Sequence, residues 1–291
     1  KNVRTKRMKA LYIQHTTLPA EYLTLKISEF LKEDYANHDL TTQFSALNSL
    51  PIKKAHLIAE QELVFAGEPI INHMFKNCEI NMKAHDGETC YKGDVMATIC
   101  GAVTLLLSNE RVLLNLIQRL SGIASLTKEY VNVLNNEKIK ILDTRKTTPG
   151  IRLFEKYAIN IGGGYNHRMD LFDGAMFKDN HLTILKDINH TLNLFKQERP
   201  DKKIQMEVDT FDQLDMIIQS LTVNLDAILL DNMSMTETKR CINLIRKNLP
   251  KCFIESSGGI NLKTISKYST TDIDGISVGA LTHQAISKNI K

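Results

Sequence analysis

The feature that most constrains this chain is an alternation that begins at Ile139. Short apolar runs of strand length recur at Ile139–Leu142, Ala175–Phe177, Ile204–Val208, Ala227–Leu230, Phe253–Glu255 and Gly275–Val278. Helix-length segments lie between them, at Arg152–Tyr157, Leu182–Gln197, Phe211–Ser220, Met235–Leu249 and Leu262–Tyr268. Strands that alternate with helices pair in parallel, because each helix carries the chain back across the sheet. Six strands at this spacing predict a barrel or partial barrel rather than a single open sheet. No GxGxxG follows a strand, which disfavours a dinucleotide fold.

In such folds ligands bind where the strands end. The first strand releases Asp143-Thr144-Arg145-Lys146-Thr147-Thr148-Pro149-Gly150. A loop with three glycines, Gly162 to Gly164, then delivers His167 and Arg168, and the second strand delivers Lys178-Asp179-Asn180-His181. Any one of these cations alone is more commonly a solvated surface charge. Together, Arg145, Lys146, Arg168, Lys178 and His181 at one mouth would repel one another unless an anion sits among them. The expected ligand is therefore a small polyanion carrying both carboxylates and phosphates.

The remaining strand ends add acids and small residues. Glu207 and Asp209 leave the third strand, Asp231 and Asn232 the fourth, Ser256-Ser257-Gly258-Gly259 the fifth, and Gly279 to His283 the last. One Ser-Gly-Gly alone reads as a tight turn. Two small, Gly-rich turns at successive strand ends, each leading into an expected helix, fit phosphate bound by backbone N–H groups. Glu207 and Asp231 could hold Mg²⁺ through ligand oxygens or stabilise positive charge at a sugar carbon, and simple charge balance is compatible with either. His167 and His181 could serve as general acids or as anion-site donors.

The first half reads differently. Leu23, Ile27, Phe30 and Leu31 fall at helical spacing within residues 21–36, and a turn is expected at His38–Thr42. Lys53–Phe65 is strand-like, Ile70–Phe75 a short helix, and Asn81–His85 and Tyr91–Gly101 are joined through Asp86-Gly87. Leu105–Leu120 is an apolar helix, which Ser121-Gly122 is expected to end at a domain change. Arg111 within it reads, by itself, as a local ion pair with Glu110. The expected organisation is an N-terminal extension (1–20), an α/β sandwich domain (21–122) and an α/β barrel-like catalytic domain (123–291). The basic start, Lys1 to Met8, has no apolar core behind it and is not a secretory signal; Met8 is the expected natural start, with a remnant before it.

Bulk properties exclude several classes. The 37 basic residues are matched by 33 acidic ones, and a net charge of +4 argues against nucleic acid as a partner. Five cysteines, an odd number without CxxC spacing, argue against zinc or a disulfide framework and fit a reducing cytoplasm. No apolar run approaches the ~20 residues that span a bilayer, so no membrane association is expected.

Several runs together resemble the quinolinate phosphoribosyltransferases (nicotinate-nucleotide pyrophosphorylases), the decarboxylating type. They are Glu33–Thr42, Asn109–Ser125, DTRKTTPGIR at Asp143–Arg152, GGGYNHR at Gly162–Arg168, KDNH at Lys178–His181, Glu207–Asp209, Leu230–Asn232, SGGI at Ser257–Ile260 and Ser277–His283. They span nearly all of the chain after residue 20. The resemblance implies a sandwich domain followed by an incomplete α/β barrel. It also implies a cytoplasmic homodimer in which each active site is completed by the partner's N-terminal domain, with Arg111 reaching across. By that resemblance quinolinate meets Arg111, Arg145, Lys146, His167, Arg168 and Lys178. Phosphoribosyl pyrophosphate meets Glu207, Asp231, Ser257, Gly258, Gly259 and Gly279, with His181 nearby, and Mg²⁺ is the cofactor, held by Glu207 and Asp231 partly through substrate. Lys146, Glu207 and Asp231 are the implied catalytic residues.

The chain departs from the family pattern at Ala36 and His38, where glycines are usual, at Gln205, where a second Glu is common, and at Gln284, where Ser is common. Asn224 lies in a longer link before Asp231. Two rival readings stand beside the resemblance. One is a barrel enzyme of aldolase type acting on another sugar phosphate, with Lys178 as a Schiff-base lysine. The other is a carrier hammerhead at residues 83–101, although its turn lacks the flanked lysine that such carriers modify.

Overall fold

A computed structural model describes residues 9–44, 52–178, 181, 184 and 187–291. The expected start at Met8 lies outside the described residues. By contact the chain divides into two compact units. One gathers His15–Lys128, Thr148–Gly163 and Leu281–Lys291; the other gathers Lys1–Gln14, Glu129–Thr147 and Gly164–Ala280. They are called here the N-terminal unit and the barrel unit.

The N-terminal unit opens with α1 (Ala20–Glu33), which buries Leu23 and Ile27 on one face. The turn expected at His38–Thr42 is instead a 3₁₀ turn, Ala36–His38, followed by α2 (Leu40–Phe44). Then come β1 (Lys53–Ile58), β2 (Leu63–Val64), α3 (Glu68–Met74), β3 (Glu79–Met82), β4 (Thr89–Cys90) and β5 (Val95–Gly101). The strands form an antiparallel sheet in the order β1-β5-β3 and a separate β2-β4 pair. Ile58 exchanges both backbone hydrogen bonds with Lys291, at 2.6 and 2.9 Å, so the C-terminal residues cover part of an edge that would otherwise invite pairing.

The helix expected at Leu105–Leu120 does not stop at Ser121-Gly122. It runs on as α4 (Val103–Leu134). The pair is small for packing, not for breaking. Ser121 Oγ accepts the Ala66 N–H at 3.2 Å, and a side chain on Gly122 would run into the Ile286 carbonyl oxygen. The mid-helix glycine costs about 1 kcal/mol of propensity, which the close approach of a second backbone offsets. Gly122→Ala is therefore expected to destabilise the fold by about 1–3 kcal/mol, as overpacking does. Urea unfolding checks this; a variant as stable as the parent would show that the C-terminal segment can retreat without cost.

Helix α5 (Arg152–Ile161) completes the N-terminal unit and buries Phe154, Tyr157, Ala158 and Ile159. The barrel unit carries β6 (Lys140–Leu142), β7 (Gly174–Phe177), β8 (Lys203–Val208), β9 (Ala227–Asp231), β10 (Phe253–Ser257) and β11 (Gly275–Ser277). All pair in parallel, in the order β6-β11-β10-β9-β8-β7. The first strand thus neighbours the last, as in a barrel, while β6 and β7 do not pair with each other. Tyr165 stands beside β6 instead, donating to Ile141 O and accepting from Asp143 N. This is the expected α/β class with an incomplete barrel. Met206, Ile228, Leu230, Ile254 and Ile276 are wholly buried, so the strand interiors form its core.

Between the strands lie α6 (Ile188–Glu198), α7 (Phe211–Ser220) and α8 (Met235–Asn248), with α9 (Ala280–His283) after β11. The first three start where a side-chain oxygen caps the first turn: Asp187, Thr210 and Ser234, the last in a capping box with Glu237. The first turn of the helix expected at Leu182–Gln197 falls largely outside the described residues. The helix expected at Leu262–Tyr268 is only a 3₁₀ helix, Ile265–Tyr268. No helix among the described residues is long and apolar enough to cross a membrane.

Candidate active site

The C-terminal ends of the barrel strands collect the charged residues expected there. Asp143, fully buried after β6, organises the first group. Its carboxylate accepts the Asn166 side-chain N–H at 2.7 Å and the His167 backbone N–H at 2.9 Å, tying the Arg145–Lys146 turn to the His167–Arg168 loop. Arg145 and Lys146 are exposed beyond it. Arg145 forms no ion pair among the described residues.

Arg168 is buried, and its guanidinium donates to Gly174 O at 2.9 Å and reaches the Met176 sulfur at 3.6 Å. Burial lowers its hold on the proton, and the like charge of Arg145 adds to this. Two guanidinium groups that feel each other form the cation-rich patch that calls for an anion.

Lys178, at the end of β7, donates to both oxygens of Glu207, at 2.7 and 2.5 Å. Carboxylate oxygens of Glu207, Asp209 and Asp231 lie within 4.8 Å of one another. Three hard oxygen donors at that spacing fit a divalent cation such as Mg²⁺. Asp209 belongs to this group by geometry, although the expected metal set held only Glu207 and Asp231. Asn232, at a positive φ of 52°, donates to Asp231 at 2.8 Å.

The small-residue turn after β10 closes onto the same neighbourhood. Asn232 N–H donates to Ser257 O at 3.0 Å, and Gly258 has a φ of +91°. A side chain at Gly258 would collide with the Asn232 amide, so glycine is required here on two counts. The turn does not lead into an α-helix, since only the 3₁₀ segment follows, and Gly279 precedes a helix of four residues. Backbone N–H groups rather than helix dipoles are what these turns offer a phosphate.

The His167 ring is held by its neighbours in the protein. It is buried, with Nδ1 accepting the Arg168 N–H at 2.7 Å and Nε2 facing Glu255 at 3.4 Å. It stacks on Tyr12 with ring centroids 4.8 Å apart. Glu255 on β10 is 0% exposed and also accepts from Gln205 Nε2 at 2.7 Å. Burial pushes its carboxyl up, but His167 and hydrogen bonds from His167, Ser277 and Gln205 outweigh burial and hold it below the ordinary value. Both ring nitrogens of His167 thus face protein groups, Nδ1 the Arg168 N–H and Nε2 the Glu255 carboxylate. His181 is exposed and closes a local turn, its Nδ1 accepting the Lys178 N–H at 3.1 Å.

Arg111 lies exposed on α4 in the N-terminal unit. The ion pair with Glu110 is not formed among the described residues. A cavity of about 900 Å³ in the same unit is lined by Thr24, Lys32, His38 and His73, and none of the expected site residues borders it. Asp143, Gln205 and Glu255 were not expected as site residues. Their one signal was an ionisable or amide side chain inside or ending an apolar strand. Tyr12 and Gln14 gave none.

Comparison with known proteins places these features in a lineage. Residues 39–121 match the family model described as quinolinate phosphoribosyl transferase, N-terminal domain, and residues 123–291 match its C-terminal domain. A Bacillus subtilis (strain 168) protein named "Probable nicotinate-nucleotide pyrophosphorylase [carboxylating]" is 39% identical over 92% of this chain and 93% of its own length. "Quinolinate phosphoribosyltransferase [decarboxylating] 1" of Nicotiana glauca is 33% identical over 97% of this chain and 85% of its own. Among solved structures, NadC from Streptococcus pyogenes superposes with a TM-score of 0.86 at 34% identity, covering 95% of this chain and 97% of that one. Two domain models in tandem and relatives matched over nearly their full lengths leave one assignment: this chain belongs to the quinolinate phosphoribosyltransferase family.

Proposed function

We propose that this chain transfers the phosphoribosyl group of phosphoribosyl pyrophosphate to quinolinate with loss of CO₂, giving nicotinate mononucleotide and pyrophosphate for NAD biosynthesis. The observation that carries this reading is the pairing of opposites at one mouth. Arg145 and Arg168 feel each other's charge on one side, and Glu207, Asp209 and Asp231 converge on the other. The arginines, with Lys146, suit the two carboxylates of quinolinate, since guanidinium binds carboxylate in a bidentate fork. Arg111 is assigned to the site of a partner in a cytoplasmic homodimer. Its exposure without an ion pair supports that role.

In this reading the ring nitrogen attacks the anomeric carbon as the bond to pyrophosphate breaks. Glu207 and Asp231 stabilise the positive charge that develops on the sugar, and fixed charge with positioning supplies most of the rate. The 2-carboxylate next to the new pyridinium nitrogen then leaves as CO₂. The electron pair left on the ring carbon is stabilised by that nitrogen and takes up a proton. Ser257, Gly258, Gly259 and Gly279 cradle the phosphates through their backbone, with His181 at the rim.

Mg²⁺ fits Glu207, Asp209 and Asp231, and bound there it would neutralise charge on the departing pyrophosphate. Lys178 is engaged twice by Glu207, which speaks against the aldolase reading, where that amine must be free to attack a carbonyl.

The test is to supply quinolinate, phosphoribosyl pyrophosphate and Mg²⁺ and to measure CO₂ and nicotinate mononucleotide. Turnover of nicotinate with quinolinate ignored would overturn the substrate. Chelation with EDTA is expected to abolish turnover and spare the folded protein by circular dichroism; undiminished turnover would remove the metal.

A further inference from the structure

The segment before α1 does more than lead into the fold. Leu11 packs against the buried Leu142, Ala227 and Phe253 of the barrel unit. Tyr12 stacks on His167, and its hydroxyl donates to Gln205 at 3.2 Å. The same ring lies so close to Gly174 that any added Cβ would stand 2.9 Å from it, and the carbonyl of Gly174 is the acceptor that holds Arg168.

Gln14 uses its amide as a peptide group would. Its Oε1 accepts the Asn166 N–H at 2.7 Å and its Nε2 donates to Asn166 O at 3.0 Å. Nε2 also donates to Tyr12 O at 2.9 Å, so the two anchors brace each other. Ile13 between them is 68% exposed and faces away. Two side chains thus touch the consecutive residues Asn166 and His167 and border the acceptor of Arg168.

We propose that residues 11–14 form a positioning strap for the substrate site, in which Tyr12 and Gln14 set the His167–Arg168 pair at the attitude where Arg168 meets a carboxylate of the aromatic acid. This rests on the assignment of Arg168 to quinolinate made above. Neither strap residue touches the reacting atoms. Both act through the loop that Asp143 anchors from its other side, so loosening the strap leaves the loop attached but its angle less defined.

The experiment compares Gln14→Ala, Tyr12→Ala and Tyr12→Phe with Ile13→Ser as the control, in steady-state kinetics on the full chain. Gln14→Ala and Tyr12→Ala are expected to raise the KM for quinolinate about tenfold, with kcat and the KM for phosphoribosyl pyrophosphate held within about twofold, since small misplacements of a binding group are costly. Tyr12→Phe keeps the stack and should return most of the loss, and Ile13→Ser should match the parent.

An unchanged quinolinate KM in Gln14→Ala overturns the proposal, and so does a fall of kcat with a rise of both KM values and a loss of folded signal. Because Gln14 is polar and only partly buried, its variant decides the matter even if Tyr12→Ala fails to fold. Arg168→Met separates the two readings. If it leaves quinolinate affinity intact, the site assignment fails; if it abolishes affinity while the strap variants bind normally, only the strap fails.

Discussion

Arg145→Ala is expected to weaken quinolinate binding by about two to three orders of magnitude, since truncating one partner of a desolvated charge pair costs roughly 2–5 kcal/mol and each 1.4 kcal/mol is tenfold. The fold should not notice. Arg145 is exposed and makes no ion pair among the described residues, and surface substitutions of that kind stay within about 0.5 kcal/mol. It also relieves the like-charge pressure that Arg145 exerts on Arg168, so the free protein has no reason to lose stability. Arg145→Lys should restore only part of the affinity, because an ammonium cannot form the two-pronged contact. Calorimetric titration of quinolinate into the protein, with thermal unfolding alongside, checks both halves. Unchanged affinity would remove Arg145 from the site.

Much of this arrangement was legible because it is repetitive. A strand that ends in a cation, an acid or a small turn is a local pattern, and six of them in one chain define a sheet whose ends face one mouth. The runs around Arg145, Arg168, Lys178, Glu207, Asp231 and Gly258 needed only that logic. What escaped depends on packing between distant segments. Ser121-Gly122 looks like a helix stop in isolation, yet the pair is small so that the backbone near Ile286 can cross α4. His167 is legible as a site residue, but the direction of its imidazole is set by Tyr12 and Glu255, 155 and 88 residues away in sequence. Tyr12 sits in a stretch with no period, and nothing local marks a tyrosine that will fill the space a glycine leaves. Gln205 stood out only as a departure, and its meaning comes from its neighbour: an amide can donate to Glu255 where a second ionised carboxylate would repel it.

That buried cluster is where the larger effect on stability is expected. Glu255→Ala should cost about 3–5 kcal/mol, the range for breaking a buried pair by removing one member. It would leave Gln205 Nε2, and the donors of His167 and Ser277, facing a cavity with no acceptor. Glu255→Gln keeps the shape and should cost less, while exposing the electrostatic part through pH. The unfolded carboxyl titrates near 4.5, and the folded one is held lower. A depressed carboxyl contributes stability that is fully present above its unfolded value and is lost as the pH falls through the folded one. Urea unfolding from pH 7 downward should therefore show the parent losing stability below about pH 4.5, with a shallower loss in Glu255→Gln. Identical profiles for the two proteins would mean that the Glu255 carboxyl titrates alike in the folded and unfolded chains. The same substitution reads on the site as well. Nδ1 of His167 accepts the Arg168 N–H and Nε2 faces the ionised Glu255, so Glu255 favours that ring direction. Glu255→Gln can accept through its amide oxygen, but it no longer selects between its two ends. The quinolinate KM should then rise with little change in kcat, the same signature as loosening the strap.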